Sequence, residues 1–428
     1  YPDSPYELSV LSADILGQVY EQFLGKVIRL TAGHRAVVEE KPEVRKAGGV
    51  YYTPTYIVDY IVKNTVGQLV NSKIQNQKSK IKSITPKEIS KIRILDPACG
   101  SGSFLLGAYQ YLLDWHRDWY VADGPEKWAT GRSPALYQVA DSNPQSLAGS
   151  GLQPEPNISV QSRTTEPAEK SPLGRGLRGG SQTPKLVLDS DLSPTQRGDR
   201  ESKIGNWHLT TAERKRILLN NIYGVDIDPQ AVEVTKLSLL LKVLEGESEQ
   251  TLARQLKLFH ERALPDLGNN IKCGNSLIGT DFYNTPPTPL FRGEKMDSPL
   301  ARLVPYSDTG GAVGVSDEER RKVNPFDWDK EFPEIMKPAP AGREQGTGGF
   351  DVVIGNPPYV RQEGLGDLKE YFQRKYSVYH GMADLYAYFI EKGVSLLNNK
   401  GIFGYIVANK WMRANYGEPL RKWLKRQC

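Results

Sequence analysis

The chain has 428 residues, 39% hydrophobic and 25% charged, with 55 Lys and Arg against 50 Asp and Glu and a net charge of +5. That length suits about two to three domains; no apolar run is long enough to span a membrane, and a secretory leader is not expected. The cysteines Cys99, Cys273 and Cys428 lie far apart, which argues against a disulfide framework or zinc knuckle and sets a reducing, cytoplasmic home as the expectation. The mild positive charge permits a polyanionic partner without demanding one. Because the chain opens on Tyr1 rather than Met, a removed start or a fragment of something longer is expected.

Residues 6–30 carry apolar side chains at three- and four-residue steps, including Leu8, Leu11, Ile15, Val19, Phe23 and Val27. This spacing predicts one long helix, weakened at Gly17 and Gly25. After the turn at 48–54, Pro54 is placed to open a helix behind Thr53. Ile57, Ile61, Val58, Val62 and Val66 would lie on one face of it. A buried strand at 92–95 runs straight into Asp96-Pro97-Ala98-Cys99-Gly100-Ser101-Gly102, and a helix follows from Leu105. Strand, glycine turn and helix are the opening of a nucleotide-type α/β fold.

The window 123–202 changes texture. Roughly a third of it is Pro, Gly and Ser, with Trp128 and Tyr137 its only aromatics, so a low-complexity, disordered insertion is expected. Order returns at Thr210 with a helix to Asn220, a strand at 222–225, the run Asp226-Ile227-Asp228-Pro229, and a leucine-rich helix apolar nearly all round that should be buried. A weaker strand at 271–273 ends at Gly274-Asn275-Ser276. Residues 283–349 read as loop, broken by an aromatic island at Pro325-Phe326-Asp327-Trp328. A clear strand at 350–355 ends at Asn356-Pro357-Pro358-Tyr359, and a helix at 385–397, a strand at 402–407 and a basic end follow.

Three of these features carry chemistry. Gly100 and Gly102 permit a tight turn and let a ligand approach backbone without a Cβ in the way, next to a helix N-terminus that favours anionic groups. Asp226, at a strand end, is placed to accept both ribose hydroxyls of an adenosyl ligand. Asp228 is the lesser candidate for that role and reads better as a helix cap before Pro229. Asn356 and the Pro357 carbonyl make a two-acceptor clamp for an –NH2 group, on backbone stiffened by Pro357 and Pro358, and Tyr359 offers a flat face to a planar base.

These features, in this order, resemble the amino-group DNA methyltransferases, most nearly the adenine-specific methylases of type IIG restriction–modification enzymes. The matching stretches run through 48–62, 94–105, 222–241, 271–277, 325–328, 350–359 and 384–424. The resemblance implies an α/β fold with a doubly wound, mostly parallel Rossmann-like sheet. Residues 1–47 would be a helical connector, 48–122 and 203–428 the catalytic domain, and 123–202 the insertion. It further implies S-adenosylmethionine as cofactor, with Asp96 and Ala98 bordering its methionine part and Thr53 reaching its carboxylate. Asn275 would touch its adenine amino group. The partner would be double-stranded DNA and not a membrane, with linked nuclease and target-recognition domains outside this chain.

The expected reaction is methyl transfer to the N6 amine of a flipped-out adenine. No general base is needed before attack, and His380 reads as structural. The rivals are methylation of a protein glutamine or an RNA amine, which present the same planar –NH2, a non-catalytic DNA-binding subunit, and a nicotinamide oxidoreductase. The intact glycine turn and clamp argue against a non-catalytic subunit. Leu105, where the dinucleotide fingerprint needs its third glycine, argues against the oxidoreductase.

Overall fold

The computed structural model describes residues 53–76, 84–131, 133–138, 206–246, 264–284, 323–337, 348–360 and 368–427, together with short pieces between 17 and 40. Ile94 and Leu95 are wholly buried in strand β1 (Ile94–Asp96), at the centre of a five-stranded sheet. β2 (Ile222–Asp226) and β4 (Phe350–Gly355) flank it. β3 (Ile271–Cys273) lies beyond β2 and β5 (Leu397–Tyr405) beyond β4. Every pairing in this sheet is parallel.

The spatial order is therefore 3-2-1-4-5. In an open parallel sheet of this order the chain leaves β1 toward one edge and later returns to its other side, so the crevice at the carboxyl ends of β1 and β4 is where a ligand fits. The α/β, doubly wound fold expected from the sequence is the one observed.

Short polar anchors fix the strand starts. Asn221 is fully buried, and its Nδ2 donates to the carbonyls of Ile89 at 2.9 Å and Ile92 at 2.7 Å. Such an amide satisfies carbonyls that would otherwise be stranded in an apolar layer. Helix α1 (Thr55–Val62) continues through a wider π-type turn, Lys63–Gly67, into a further helix, Gln68–Asn76. Gly107, in α2 (Ser103–Ala122), lets α1 come close, because Val58 Cγ1 occupies the place that a Cβ there would take. Gly404 does the same in β5 beneath Ile61 and Thr65.

Three local readings are corrected. Residues 17, 19 and 20 are helical, but the single helix expected over 6–30 does not reach its end: Lys26–Leu30 is a strand paired antiparallel with Ala36–Glu40. Ile28 is in register with Val38 there, and β-branched residues favour strands where a helical periodicity is already interrupted at Gly25. Helix α3 (Thr211–Asn221) leads into β2, and the leucine-rich helix α4 (Pro229–Leu244) that follows buries Leu239 but leaves Leu237 48% exposed, so it is covered on one side only. Within the window read as low complexity, Pro125–Trp128 is helical and Leu136–Gln138 is a strand; residues 139–205 lie outside the described residues. By compactness the chain divides into one unit of residues 1–116 and 209–428 and a second of residues 117–208, in which the Tyr137 ring stacks on His208 with centroids 5.6 Å apart.

Candidate active site

The glycine turn is held by the neighbouring strand. Past Asp96, the Cys99 N–H donates to the Val225 carbonyl at 3.0 Å, and the Gly100 N–H donates to Asp226 Oδ2 at 2.8 Å. Gly100 has φ +53° and Gly102 φ +88°, the left-handed region that glycine enters without strain. Their surroundings differ. A Cβ on Gly100 would meet nothing within 4 Å, so this backbone is open to a ligand. One on Gly102 would lie 3.0 Å from Thr235 Cγ2, and Thr235 Oγ1 donates to the Gly100 carbonyl at 2.7 Å. Gly102 thus admits α4 against the turn, and it does not line the cavity.

The two strand-end carboxylates are deeply set. Asp226 Oδ1 accepts from the Asp228 N–H at 2.9 Å, so each of its oxygens already holds one backbone donor. A carboxylate offers about four lone-pair positions, which leaves capacity for further donors. Burial raises its pKa, opposed by those same N–H groups. Asp96 accepts from the Ala98 N–H at 3.0 Å, and burial pushes its pKa up to about 8, against the pull of that hydrogen bond. Asp228 caps α4 through Gln230 N–H at 2.9 Å, accepts from the Tyr20 hydroxyl at 2.9 Å, and is absent from the cavity wall.

The clamp leaves β4 through Gly355, whose φ of +154° few other residues adopt. Asn356 Nδ2 donates to Thr53 Oγ1 at 3.1 Å, while Asn356 Oδ1 is buried without a hydrogen-bond partner among the described residues. An unpaired buried carbonyl oxygen is costly, by roughly 1–3 kcal/mol, and calls for an explanation. Tyr359 is 36% exposed. Its hydroxyl donates to the Ile406 carbonyl at 3.2 Å, and its ring lies 5.7 Å from the Tyr386 ring. Tyr386 in turn shares a 3.0 Å hydrogen bond with Tyr416. The aromatic face is therefore braced from the far side.

All of this converges on one cavity of about 510 Å3. Thr53, Asp96, Ala98, Gly100, Asp226, Asn275, Asn356, Pro357, Pro358 and Tyr359 line it. Asn275 Oδ1 also accepts from the Leu277 N–H at 3.1 Å, which fixes the turn after β3. Sequence reasoning missed the apolar wall, notably Ile227, Phe104 and Phe389. Ile227 is 51% exposed between two acidic neighbours. An apolar residue directly after a strand-end acid was the available signal. A second cavity of about 550 Å3, lined by both partners of the 2.6 Å Lys375–Asp281 ion pair, contains none of the residues expected to hold cofactor or amine; Phe326, Asp327 and Trp328 of the aromatic island line it instead.

Residues 220–428 match the family described as Eco57I restriction-modification methylase, and residues 71–121 match the DNA-methyltransferase domain of MmeI. The type II restriction enzyme and methyltransferase RM.Eco57I of Escherichia coli is 26% identical over 99% of this chain and 29% of its own length. The adenine-specific methyltransferase BrxX of Escherichia coli O9:H4 is 22% identical over 96% of this chain and 30% of its own. The type II methyltransferase M.BstVI of Geobacillus stearothermophilus is 41% identical over 76 residues, 18% of this chain and 14% of that protein. The chain thus spans less than a third of the length of these relatives. Among the described residues, no helix is long and apolar enough to cross a membrane.

Proposed function

From a chain whose residues 220–428 match the family described as Eco57I restriction-modification methylase, we propose that it methylates the N6 amine of an adenine flipped out of double-stranded DNA, in the cytoplasm, as part of a restriction–modification system. The observation that carries this reading is Asn356 Oδ1, a buried acceptor with no partner on the wall of the cavity. An incoming –NH2 group completes it.

The residues present fit S-adenosylmethionine, which when bound supplies an electrophilic methyl group. Gly100 offers open backbone, Ile227 an uncovered apolar face, and Asp226 spare acceptor capacity for ribose hydroxyls. Asp96, protonated below a pKa of about 8 when unpaired, returns to carboxylate beside a cationic group. Ala98 and Thr53 border the same space, and Asn275 lies across from them on the loop after β3.

The adenine amine is a weak nucleophile because its lone pair is delocalised into the ring. Asn356 Oδ1 and the Pro357 carbonyl accept hydrogen bonds from its two N–H groups and localise that lone pair. As positive charge builds on nitrogen, both hydrogen bonds strengthen, so they stabilise the transition state more than the ground state. Tyr359 supplies a stacking face, contributing roughly 1–3 kcal/mol toward the few kcal/mol that flipping costs.

The test is incubation with methyl-labelled S-adenosylmethionine and, separately, unmethylated genomic DNA, RNA and a glutamine-bearing protein, followed by nucleoside or peptide mass spectrometry. N6-methyladenine in DNA alone is expected. Label on cytosine would keep the reaction class and overturn the base; label on protein would overturn the substrate.

A further inference from the structure

We infer that Thr53 is a positioning residue for the clamp: its hydroxyl oxygen, by accepting from Asn356 Nδ2, holds that amide in place with Oδ1 on the cavity wall. This rests on the proposed reaction for its consequence, though not for its geometry.

An asparagine amide is nearly symmetric in shape, and only hydrogen-bond partners decide between its oxygen and its nitrogen. Among the described residues the side-chain partner of Asn356 is Thr53 Oγ1, 3.1 Å from Nδ2. A hydroxyl can pair with either end of an amide; turned over, the amide would meet an arriving –NH2 with its own –NH2, donor against donor, so the arriving amine selects the observed orientation and Thr53 holds the amide where it can be met. In the observed orientation Oδ1 is the buried group left unpaired, and an arriving amine satisfies it.

Thr53 itself has little freedom. It is 6% exposed, β-branched and therefore stiff at χ1, and it precedes Pro54, which confines it to extended backbone. Behind it α1 is seated by Val58 against Gly107 and by Ile61 against Gly404. A rigid helix start thus presents one oxygen to one amide from 303 residues away in sequence.

The experiment compares Thr53→Val, which keeps the shape and loses the acceptor, with Thr53→Ser, which keeps the acceptor. With the full chain, unmethylated genomic DNA and saturating cofactor, Thr53→Val is expected to slow methyl transfer by about fivefold, the worth of one neutral hydrogen bond. Because the cofactor is saturating, any contact of Thr53 with the cofactor's carboxylate shows in its KM and leaves this rate alone, and Thr53→Ser should restore the rate. A second readout needs no turnover. In protein 15N-labelled at asparagine, the Asn356 side-chain amide signal, identified by its loss in Asn356→Asp, should exchange slowly with solvent in the parent and in Thr53→Ser, and quickly in Thr53→Val.

Equal exchange in Thr53→Val and the parent overturns the inference. So does a Thr53→Val that keeps the parental rate at saturating cofactor and loses only affinity for it, since the hydroxyl would then serve the cofactor alone. If Thr53→Val does not fold, Thr53→Ala carries the same readouts. If the parent transfers no methyl to adenine, the proposed reaction is wrong, and amide exchange alone decides the role of Thr53.

Discussion

A Cβ on Gly355 would lie 2.6 Å from Asp96 Oδ1. The last residue of β4 and the last residue of β1 thus approach at the sheet's switch point more closely than any side chain permits, and it is there that the glycine-turn carboxylate and the Asn-Pro-Pro-Tyr clamp share one cavity. Gly355→Ala should therefore both strain the backbone, whose φ is +154°, and push the carboxylate aside. We expect a loss of about 2–4 kcal/mol in stability by urea unfolding, with weakened cofactor binding. An unchanged midpoint would show that the two strand ends are not so tightly packed.

The pH dependence follows from Asp96. Its folded pKa is raised from 3.8 to about 8 by burial, so between those values the folded protein holds a proton that the unfolded chain releases. Its contribution to stability is then fully present below about 3.8 and is lost as pH rises through about 8; Asp226, also raised, acts in the same sense. A cationic ligand reverses the preference. Affinity for S-adenosylmethionine should climb between about pH 6 and 8 by up to about tenfold per unit, then level off. Calorimetry in buffers of different ionisation enthalpy should detect the released proton, and Asp96→Asn should remove it. A flat profile in the parent would refute the assignment.

Asp226 has two duties, so its replacements should fail in two ways. Asp226→Ala removes an acceptor for ribose and also frees the Gly100 and Asp228 N–H groups. Cofactor affinity should fall by about 10- to 100-fold, the range for one or two charge-assisted hydrogen bonds. Asp226→Asn should not rescue it, because one amide nitrogen would face a backbone N–H. Full recovery with Asn would mean that the acceptors are not both used.

The clamp and the stacking face should separate kinetically. Asn356→Ala is expected to lower the rate of methyl transfer by about 10²–10³ with cofactor and DNA affinities nearly unchanged. Tyr359→Ala should weaken capture of the flipped base instead. Tyr359→Phe keeps the ring against Tyr386 and loses only the 3.2 Å tether to Ile406, so its loss should be smaller. A 2-aminopurine reporter of base flipping distinguishes the two, and an Asn356→Ala as fast as the parent would remove the basis of the proposed chemistry.

Much of this molecule was legible from residue order. Four of the five short strands end in or directly before a glycine, an acid or an Asn-Pro-Pro-Tyr run, and these local signals mark the carboxyl edge of the sheet. The doubly wound class follows from strand–turn–helix repetition, because parallel strands need crossovers. Ten of the residues singled out line one cavity for that reason. The hairpin at Lys26–Leu30 and Ala36–Glu40 was not legible: its apolar residues fit a helical period as well as a strand, and only the partner strand decides. Nor was the exposure of Leu237, since a helix apolar all round does not say which side lacks a neighbour.

The sequence by itself determined which groups are available: two strand-end carboxylates, open glycine backbone, an amide between glycine and proline, and a tyrosine behind them. Each depends on φ preferences and donor–acceptor chemistry carried by a few adjacent residues. Tertiary structure decided how those groups are used. The 3-2-1-4-5 order brought Gly100 to Asp226 and Gly355 to Asp96, and helix α1, seated by two glycines that lack a Cβ, carried Thr53 to Asn356. Contacts of that kind depend on the packing of whole elements, so no short window of sequence contains them.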